Sequence, residues 1–473
     1  MRHVVIIGAG VGGLAAAARL AGRGCRVTLC EARDRAGGLA GPLECDGFRF
    51  DAGPYILLDR PGLEWAFTRL GSAAVPALDR VRDVYETVVG GESVRFHADL
   101  DETADGFERR WPGSGSRYRR FIRGLQARYA RLQPLQVAAP GWKSVLRLGA
   151  WRDVPFLLRS LDRVLGAARL PDPVVQSLSI WTHVAGQTVA AAPAPLALVP
   201  AVIHGVGAFY PRGGIGAIVA ALETTARNAG ATLRFGSGVR RIRCPAGVAR
   251  GVELDGGEII DADAVLSNVG LGTYLGLLDD QGRAALGASA ARGLGGLPLQ
   301  SPGVCAYLAV RGPITGPYLR FRLTGEPDGC RLLVMPGVLG PDRAGDGWFP
   351  ARLIAPLDHG RATAGGEAFQ NRFLDRVLAE DWWRRHVAEA RVLTRRIPRD
   401  WGAAFRLHAD AMNPVMTPQF MRAGRLPHRS PAIPRLFLAG SATHPGQWVS
   451  FACISGVLAA ERVLESRLDR AEA

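Results

Sequence analysis

A glycine-rich turn near the start of the chain constrains the fold more than any other feature. Val4-Val5-Ile6-Ile7 is a β-branched run, and Gly8-Ala9-Gly10-Val11-Gly12-Gly13 follows it directly, before an Ala/Leu-rich stretch at 11–23. The run is typical of a strand buried on both faces of a parallel sheet, and the Ala/Leu-rich stretch is typical of a helix. Gly8, Gly10 and Gly13 fit the pattern G-x-G-x-x-G. In this pattern the first glycine permits a tight turn, the second lets backbone approach a pyrophosphate, and the third packs helix against strand. The helix N-terminus offers N–H groups and the positive end of its dipole to an anion.

An acidic residue follows at the expected distance. Glu31 ends a second predicted strand, Arg26 to Glu31, 18 residues after Gly13. A carboxylate there accepts hydrogen bonds from both ribose hydroxyls of a dinucleotide and repels a 2′-phosphate. It therefore disfavours NADP without separating NAD from FAD. The glycine pair Gly37-Gly38 favours FAD, because its backbone can lie against a flavin pyrophosphate or ribityl chain; a plain surface turn is the alternative.

Composition limits the remaining classes. The chain has 473 residues, 48% of them hydrophobic and 21% charged, which is typical of a globular protein with two or three domains. The net charge of +15 comes almost wholly from arginine, since Lys143 is the only lysine, and no basic–aromatic ribbon accompanies it. We therefore expect no nucleic-acid partner. The seven cysteines are scattered without a C-x-x-C pair, which indicates a reducing, cytoplasmic compartment and no metal site. We predict neither a signal peptide nor a transmembrane segment.

Patterns along the chain alternate between helical and strand-like. Residues from about 62 to 187 show Arg-studded apolar periodicity and are predicted to be mostly helical. Further helices are predicted at Ala217–Asn228, near Ala368–Ala390 and at Cys453–Arg467. Further strands are predicted at Thr232–Phe235, Val239–Cys244, Val248–Leu254, Glu258–Ile260, Ala262–Asn268, Val304–Val310, Leu332–Met335 and Leu436–Ala439.

Four further motifs, with the glycines and acid described above, make the sequence resemble a known family. They are Gly47-Phe-Arg-Phe-Asp-Ala-Gly-Pro54, Tyr210-Pro-Arg-Gly-Gly-Ile-Gly216, Ala262-Asp-Ala-Val-Leu-Ser-Asn268 and Leu436-Phe-Leu-Ala-Gly-Ser-Ala-Thr-His-Pro-Gly446. Together they resemble the carotenoid (phytoene) desaturases, part of the wider flavin amine-oxidase group. The resemblance spans nearly the whole chain in consistent order.

The resemblance implies an α/β fold of the amine-oxidase type. It implies a discontinuous, Rossmann-like FAD-binding domain from residues 1–75, 205–280 and 430–473. A mixed α+β substrate domain from 76–204 and 281–429 would cover the flavin.

The resemblance also implies which residues bind FAD. The ADP half would be held by Gly8, Gly10, Gly13 and Glu31, with Ala32 beside them and the backbone of Val239 against adenine. The ribityl and pyrophosphate groups would lie along Gly37, Gly38, Leu39, Gly440 and Ser441. Val449 and the start of the last helix would lie near the isoalloxazine ring, where a helix N-terminus stabilises the reduced anion.

Three departures from the family pattern leave the reaction open. Leu39 stands where amine oxidases usually have Arg, and Ser441 stands where many flavoproteins have an acid. Pro445-Gly-Gln-Trp-Val449 resembles carotenoid isomerases and retinol saturases more than desaturases. The main hypothesis is FAD-dependent desaturation of a long lipophilic isoprenoid. The alternatives are a flavin-dependent isomerase or saturase, an amine oxidase, and a flavin-binding membrane adaptor without enzymatic activity.

Catalytic side chains and partners are less constrained. His444 is a candidate to face the flavin, or else fixes the turn before Pro445. Tyr55 is a candidate to line the substrate cavity, or else a core aromatic. Residues 142–170 interleave Trp, Leu and Phe with Arg, a pattern that suits both an interfacial membrane patch and an ordinary packed helix. Because a lipophilic polyene must enter from a bilayer, the resemblance favours peripheral membrane contact.

Overall fold

A computed structural model describes residues 1–72, 75–184, 189–325, 328–340, 347–417, 420–421 and 424–466. The strands are His3–Ile7 (β1), Arg26–Cys30 (β2), Pro42–Cys45 (β3), Phe48–Asp51 (β4), Leu78–Arg80 (β5), Asp83–Val89 (β6), Glu92–His97 (β7), Phe209–Pro211 (β8), Thr232–Arg234 (β9), Val239–Arg243 (β10), Gly251–Leu254 (β11), Ile259–Asp261 (β12), Ala264–Ser267 (β13), Leu299–Gln300 (β14), Val304–Arg311 (β15), Leu319–Leu323 (β16), Cys330–Val334 (β17), Trp348–Ala355 (β18), Glu389–Arg396 (β19), Asn413–Pro414 (β20) and Leu436–Leu438 (β21). The α-helices are Val11–Ala21 (α1), Arg60–Arg69 (α2), Leu100–Arg110 (α3), Ser114–Gln136 (α4), Trp142–Arg147 (α5), Val154–Leu157 (α6), Leu161–Ala167 (α7), Asp172–Leu178 (α8), Ile180–Val184 (α9), Leu198–Gly205 (α10), Gly216–Asn228 (α11), Gly272–Leu275 (α12), Asp280–Leu286 (α13), Ala288–Gly295 (α14), His359–Ala379 (α15), Pro398–Phe405 (α16) and Val449–Glu465 (α17).

A parallel sheet gathers strands from distant parts of the sequence. Among the described residues its order is β21-β13-β1-β2-β9, and every neighbouring pair is parallel. β1 lies in the interior with all five of its residues buried, as its β-branched run predicts. All these strands fall within 1–75, 205–280 and 430–473, and the helices α1 and α17 pack against each other beside them.

A second sheet holds strands from the rest of the chain. Its order in the part of the chain that the structure describes is β19-β15-β18-β17-β16-β6-β7. Its pairs are antiparallel except for β16 with β6. Every strand of this sheet falls within 76–204 or 281–429. The chain is therefore an α/β fold with a mixed α+β second unit.

The structure is mostly helical between residues 62 and 187, as predicted, but it also has strands there, and one helix predicted further along the chain is displaced. The stretch from 62 to 187 contains the hairpin β6–β7, which turns at Gly90-Gly91, and both of these glycines have positive φ. Two such glycines favour a tight hairpin turn over a continuous helix. The helix expected near Ala368–Ala390 is displaced: α15 runs from His359 to Ala379, and Glu389–Arg396 is the strand β19.

Among the residues described above, no helix combines the length and apolar character that crossing a membrane requires.

Candidate functional site

The glycine turn after β1 adopts the conformation that its sequence predicts. Gly8 has φ of +91°, a value that side chains other than glycine rarely adopt. A Cβ on Gly13 would fall on the carbonyl oxygen of Gly8, so only glycine lets α1 lie this close to the strand end. The first turn of α1 is thereby aimed along the edge of the sheet, where its free N–H groups can bind a pyrophosphate.

Glu31 is positioned by hydrogen bonds from backbone N–H groups. It is buried at the end of β2, where Oε2 accepts the N–H of Ala9 at 2.7 Å and Oε1 accepts the N–H of Arg33 at 3.0 Å. The Gly37 N–H in turn donates to the Ala9 carbonyl at 2.8 Å. Glu31 therefore ties the first glycine turn to the second, and its remaining lone pairs face the cavity as acceptors for ribose hydroxyls.

The two ends of the chain meet at this turn. A Cβ on Gly12 would lie 2.8 Å from the Cα of Gly440, and a Cβ on Gly456 would fall on the carbonyl oxygen of Gly12. Gly440 has φ of +94°, and its N–H donates to the Ser455 hydroxyl at 2.9 Å. Glycines at these positions let α1, the turn after β21 and α17 approach in direct backbone contact.

Asn268 is a site residue to which the sequence analysis gave no role. It follows β13, and its side-chain amide lies against the glycine turn, so that a Cβ on Gly10 would be 2.7 Å from its Nδ2. The same side chain reaches Gly12 and Gly440. Asn268 lies at the carboxyl ends of the neighbouring strands β13 and β1. The chain leaves these two strands in opposite directions, and open α/β sheets bind their ligands at such a point. Its position at the end of a buried strand was the available signal.

A cavity of about 640 Å³ opens along this junction. Its lining includes ten of the residues predicted from the sequence: Gly8, Gly10, Glu31, Gly37, Gly38, Leu39, Tyr55, Gly440, Ser441 and Val449. Gly8 and Gly10 follow the carboxyl end of β1, Glu31 follows the carboxyl end of β2, and Val449 is the first residue of α17. The Ser441 hydroxyl donates to the Asn413 side chain at 2.8 Å, which leaves the Ser441 backbone for a ligand.

Four predicted residues, Gly13, Ala32, Val239 and His444, are not part of the described lining. Gly13 acts beneath the turn as a packing residue. Val239 is buried in β10, where it pairs with Leu254 and packs in a separate hydrophobic cluster.

The His444 side chain is not among the residues that line the cavity. Its Nε2 lies 2.9 Å from the carbonyl oxygen of Leu135 in α4, to which a neutral ring donates. Burial lowers the pKa of His444 to about 4. This geometry assigns His444 to holding the turn before Pro445 against α4, which is the alternative considered for it from the sequence.

The rest of the cavity wall is mostly apolar, although Arg352, Arg425 and several uncharged polar residues also line it. Helices and strands of the second unit contribute side chains that have no charge to offer a substrate: Trp181, Leu196, Val199, Val202, Leu332 and Ile354. Among the described lining residues Glu31 is the one carboxylate, and its place is at the glycine turn. The cavity thus joins a cradle for a dinucleotide to a largely apolar chamber.

The residues present fit FAD. The glycine turn and Glu31 would hold the ADP half, while Gly440, Ser441 and the N-terminus of α17 would hold the other half. The flavin, when bound, supplies the redox chemistry, and the protein supplies binding, orientation and exclusion of water. The fold and this cavity define an FAD-dependent oxidoreductase.

Comparison with known proteins gives the family. Residues 11–314 match the model described as "Flavin containing amine oxidoreductase", and the chain belongs to this family.

Curated relatives make the assignment more specific. A phytoene dehydrogenase of Streptomyces griseus is 30% identical over 99% of this chain and 96% of its own length. A zeta-carotene-forming phytoene desaturase of Myxococcus xanthus is 34% identical over 59% of this chain, and the match spans 55% of that protein. The chain is thus a carotenoid-desaturase-like member of the family.

Solved structures agree at the level of fold. A putrescine oxidase bound to putrescine superposes with a TM-score of 0.65 at 17% identity, over 98% of this chain and 99% of that one. An oxidoreductase from Methanosarcina mazei superposes with a TM-score of 0.62 at 18% identity, over 98% of this chain and 100% of that one. At this level of identity the likeness concerns the fold alone.

Proposed function

We propose that this enzyme desaturates a long lipophilic isoprenoid of the phytoene and carotenoid class, using FAD as the hydride acceptor. One observation carries the proposal: the flavin cradle opens directly into a chamber whose wall is largely apolar. A hydrocarbon polyene needs apolar surface along its whole length and offers nothing for charged side chains to bind. The names of the relatives from Streptomyces griseus and Myxococcus xanthus support the same substrate class.

The test is a reaction in lipid. Purified protein reconstituted with FAD is incubated with phytoene in liposomes, and new conjugated absorption is followed. Apoprotein without FAD is the control. We expect additional conjugated double bonds with the holoprotein only. Fully FAD-loaded protein that leaves phytoene and its partly desaturated derivatives unchanged would reject the proposal.

A second candidate reaction rests on Pro445-Gly-Gln-Trp-Val449, which resembles the isomerase and saturase pattern. Gly446, Trp448 and Val449 of this segment line the cavity, so a change here would act on the substrate beside the flavin. An isomerase or saturase requires pre-reduced FAD and oxidises no substrate. Comparing oxidised with pre-reduced enzyme under anaerobic conditions separates this reaction from desaturation.

An amine oxidase is less well supported. Because Glu31 is the one acid in the described lining, no other carboxylate there would attract an ammonium group. Release of ammonia and peroxide from an amine would favour this reaction.

We also propose that the enzyme docks on the cytoplasmic surface of an anionic membrane. The docking patch consists of Trp142, Leu146, Trp151 and Leu158, whose side chains are 65%, 62%, 51% and 51% exposed. Arginines and Lys143 flank the patch, and Trp and Leu beside basic residues suit the boundary of an anionic bilayer. All seven cysteines are free thiols, which supports a cytoplasmic location.

The docking patch is fixed to a helix that reaches the cavity. Asp153, buried beside the patch, accepts hydrogen bonds from Arg128 at 3.0 Å and Arg131 at 2.8 Å, and both arginines belong to α4. Tyr129 and Gln136 of the same helix line the cavity. A lipophilic substrate could therefore pass from the bilayer to the flavin along α4 with little exposure to water.

Vesicle binding tests the docking patch. Replacing its four residues by Ser removes most of the apolar contact, so we expect co-sedimentation with anionic vesicles to fall about tenfold or more. The matched control replaces Ile259 and Val392, which are 53% and 44% exposed elsewhere on the surface, by Ser. Equal vesicle binding by both variants would refute the location of the docking site.

A further inference from the structure

Desaturation creates a need for a base. Forming a double bond between adjacent carbons removes a hydride from one and a proton from the other. FAD, when bound, would supply the hydride acceptor, and a basic group of the protein beside the substrate would speed removal of the proton. Glu31 does not meet this need, because it is bound to the backbone of the glycine turn at the ADP end.

Asp59 is a buried carboxylate that the flavin cradle does not use. Its residue is 0% exposed, and its Oδ1 accepts the Gly62 N–H at 3.2 Å and the Tyr129 hydroxyl at 3.3 Å. Its Oδ2, beside the Ser450 hydroxyl, has no hydrogen bond of ordinary geometry within the described part of the chain. A buried carboxylate normally has several hydrogen-bond partners of ordinary geometry, so one with so few needs an explanation.

Within the described part of the chain, no cation pairs with this carboxylate. The groups that face Asp59 come from three elements: Gly62 from α2, Tyr129 from α4 and Ser450 from α17. Among the described residues Tyr129 is the one titratable group in contact with it. Burial raises the pKa of Asp59, which makes its carboxylate a stronger base than an exposed aspartate.

Tyr129 connects this carboxylate to the chamber. It lines the cavity together with Gln136, whose side chain lies beside the Tyr129 hydroxyl. The Tyr129 side chain therefore reaches both the cavity and the Oδ1 of Asp59. Such an arrangement lets a proton enter at the phenol and leave to the carboxylate without exposing a charge to the substrate.

We propose that Tyr129 and Asp59 form the proton acceptor of the desaturation, an inference that rests on the proposed function. The C–H bond on the carbon next to the hydride-losing carbon breaks, and its electron pair becomes the new C=C bond. The released proton binds the Tyr129 oxygen as the hydroxyl proton of Tyr129 passes to Asp59 Oδ1. Tyr129 is neutral before and after, and Asp59 changes from carboxylate to carboxylic acid. Exchange with water then restores the carboxylate.

A pair of conservative variants tests the proposal. Asp59 also caps α2 through its bond to Gly62, and asparagine caps helices equally well, so Asp59→Asn removes the base while keeping the cap. Tyr129→Phe removes the phenol oxygen and keeps the ring. Each is expected to lower the rate of desaturation about 100-fold.

Two matched variants serve as controls. Asp279→Asn changes another aspartate cap, which accepts the Gly282 N–H at 2.8 Å at the start of α13. Tyr274→Phe changes another buried tyrosine, which is not among the residues that line the cavity. Both controls are expected to keep the wild-type rate and pH profile.

The pH profile separates proton transfer from a structural role. Asp59 must be ionised to accept the proton, so kcat/KM of the wild-type enzyme is expected to rise with pH through the raised pKa of Asp59. Asp59→Asn and Tyr129→Phe are expected to lose this acidic limb while keeping FAD content and melting temperature. If the wild type desaturates and both variants keep its rate and acidic limb, the proton acceptor is refuted and the proposed function stands. If the loaded wild type desaturates nothing, both are refuted.

Discussion

Replacing Gly12 by Ala inserts one carbon atom at the point where the two ends of the chain touch. The new Cβ would lie 2.6 Å from the Oδ1 of Asn268, 2.8 Å from the Cα of Gly440 and 2.9 Å from the Gly440 nitrogen. Two of these three atoms are backbone, so no side-chain rotation relieves the contact. Since carbon atoms in contact normally lie about 3.5–4.0 Å apart, the turn after β21 must move by roughly 0.7–1.2 Å.

The size of the effect follows from the cost of that displacement. Adding a methyl group to a tightly packed site costs about 1–3 kcal/mol. If FAD contacts both ends of the chain at once, this cost destabilises the arrangement in which the two ends hold FAD together. Each 1.4 kcal/mol then weakens FAD binding about tenfold. We therefore expect the Kd for FAD to rise by roughly 5- to 150-fold.

The measurement is titration of deflavinated protein with FAD, followed by quenching of flavin fluorescence. Gly124→Ala is the matched control, because Gly124 is exposed on α4 and an added Cβ there meets nothing within 4 Å. It should bind FAD as the wild type does. If Gly12→Ala remains folded and binds FAD within about twofold of the wild type, the reasoning that both ends hold one cofactor is refuted.

Three further predictions concern the same region. Glu31→Gln replaces a charged acceptor of two backbone N–H groups. Since each lost charged hydrogen bond costs about 1.5–3 kcal/mol, FAD binding should weaken at least tenfold. An unchanged affinity would contradict a role of Glu31 in holding FAD. Asn268→Leu should also raise the Kd for FAD with little change in melting temperature, and wild-type affinity would exclude Asn268 from the site. His444 is neutral in the folded state, because its pKa is lowered from 6.5 to about 4, so the stability it contributes is complete above pH 6.5 and declines toward pH 4. In His444→Gln the side chain still donates to Leu135 but does not titrate. Between pH 6.5 and pH 4 the variant should therefore lose less unfolding free energy than the wild type, by on the order of 3 kcal/mol, measured by urea unfolding. An unchanged acid dependence would contradict the burial of a neutral His444.

Local rules predicted the amino end of the fold well. The glycine turn fixes where β1 ends and where α1 begins, and α1 ends at Ala21 close to the predicted residue 23. The lining by Gly37, Gly38, Gly440 and Val449 also follows the predicted positions, because the family motifs locate them.

Features that depend on distant neighbours were not predictable in the same way. Asn268 enters the site because β13 lies beside β1, and no pattern within 262–268 contains that adjacency. His444 is held against α4 because a carbonyl oxygen 309 positions away in the sequence accepts its ring N–H. The β6–β7 hairpin was missed because the Arg-rich periodicity around it resembles a helix, although Gly90-Gly91 was a usable turn signal.

Hydrogen–deuterium exchange with and without FAD tests the central claim most directly, since it reports on both ends of the chain in one measurement. If one flavin lies between the glycine turn and α17, FAD will slow exchange at residues 8–13 and at 440–449 together. The β6–β7 hairpin at 83–97, which contributes no residue to the described cavity lining, should exchange at the same rate in both states. Protection of only one of the two segments, or of neither, would contradict the account.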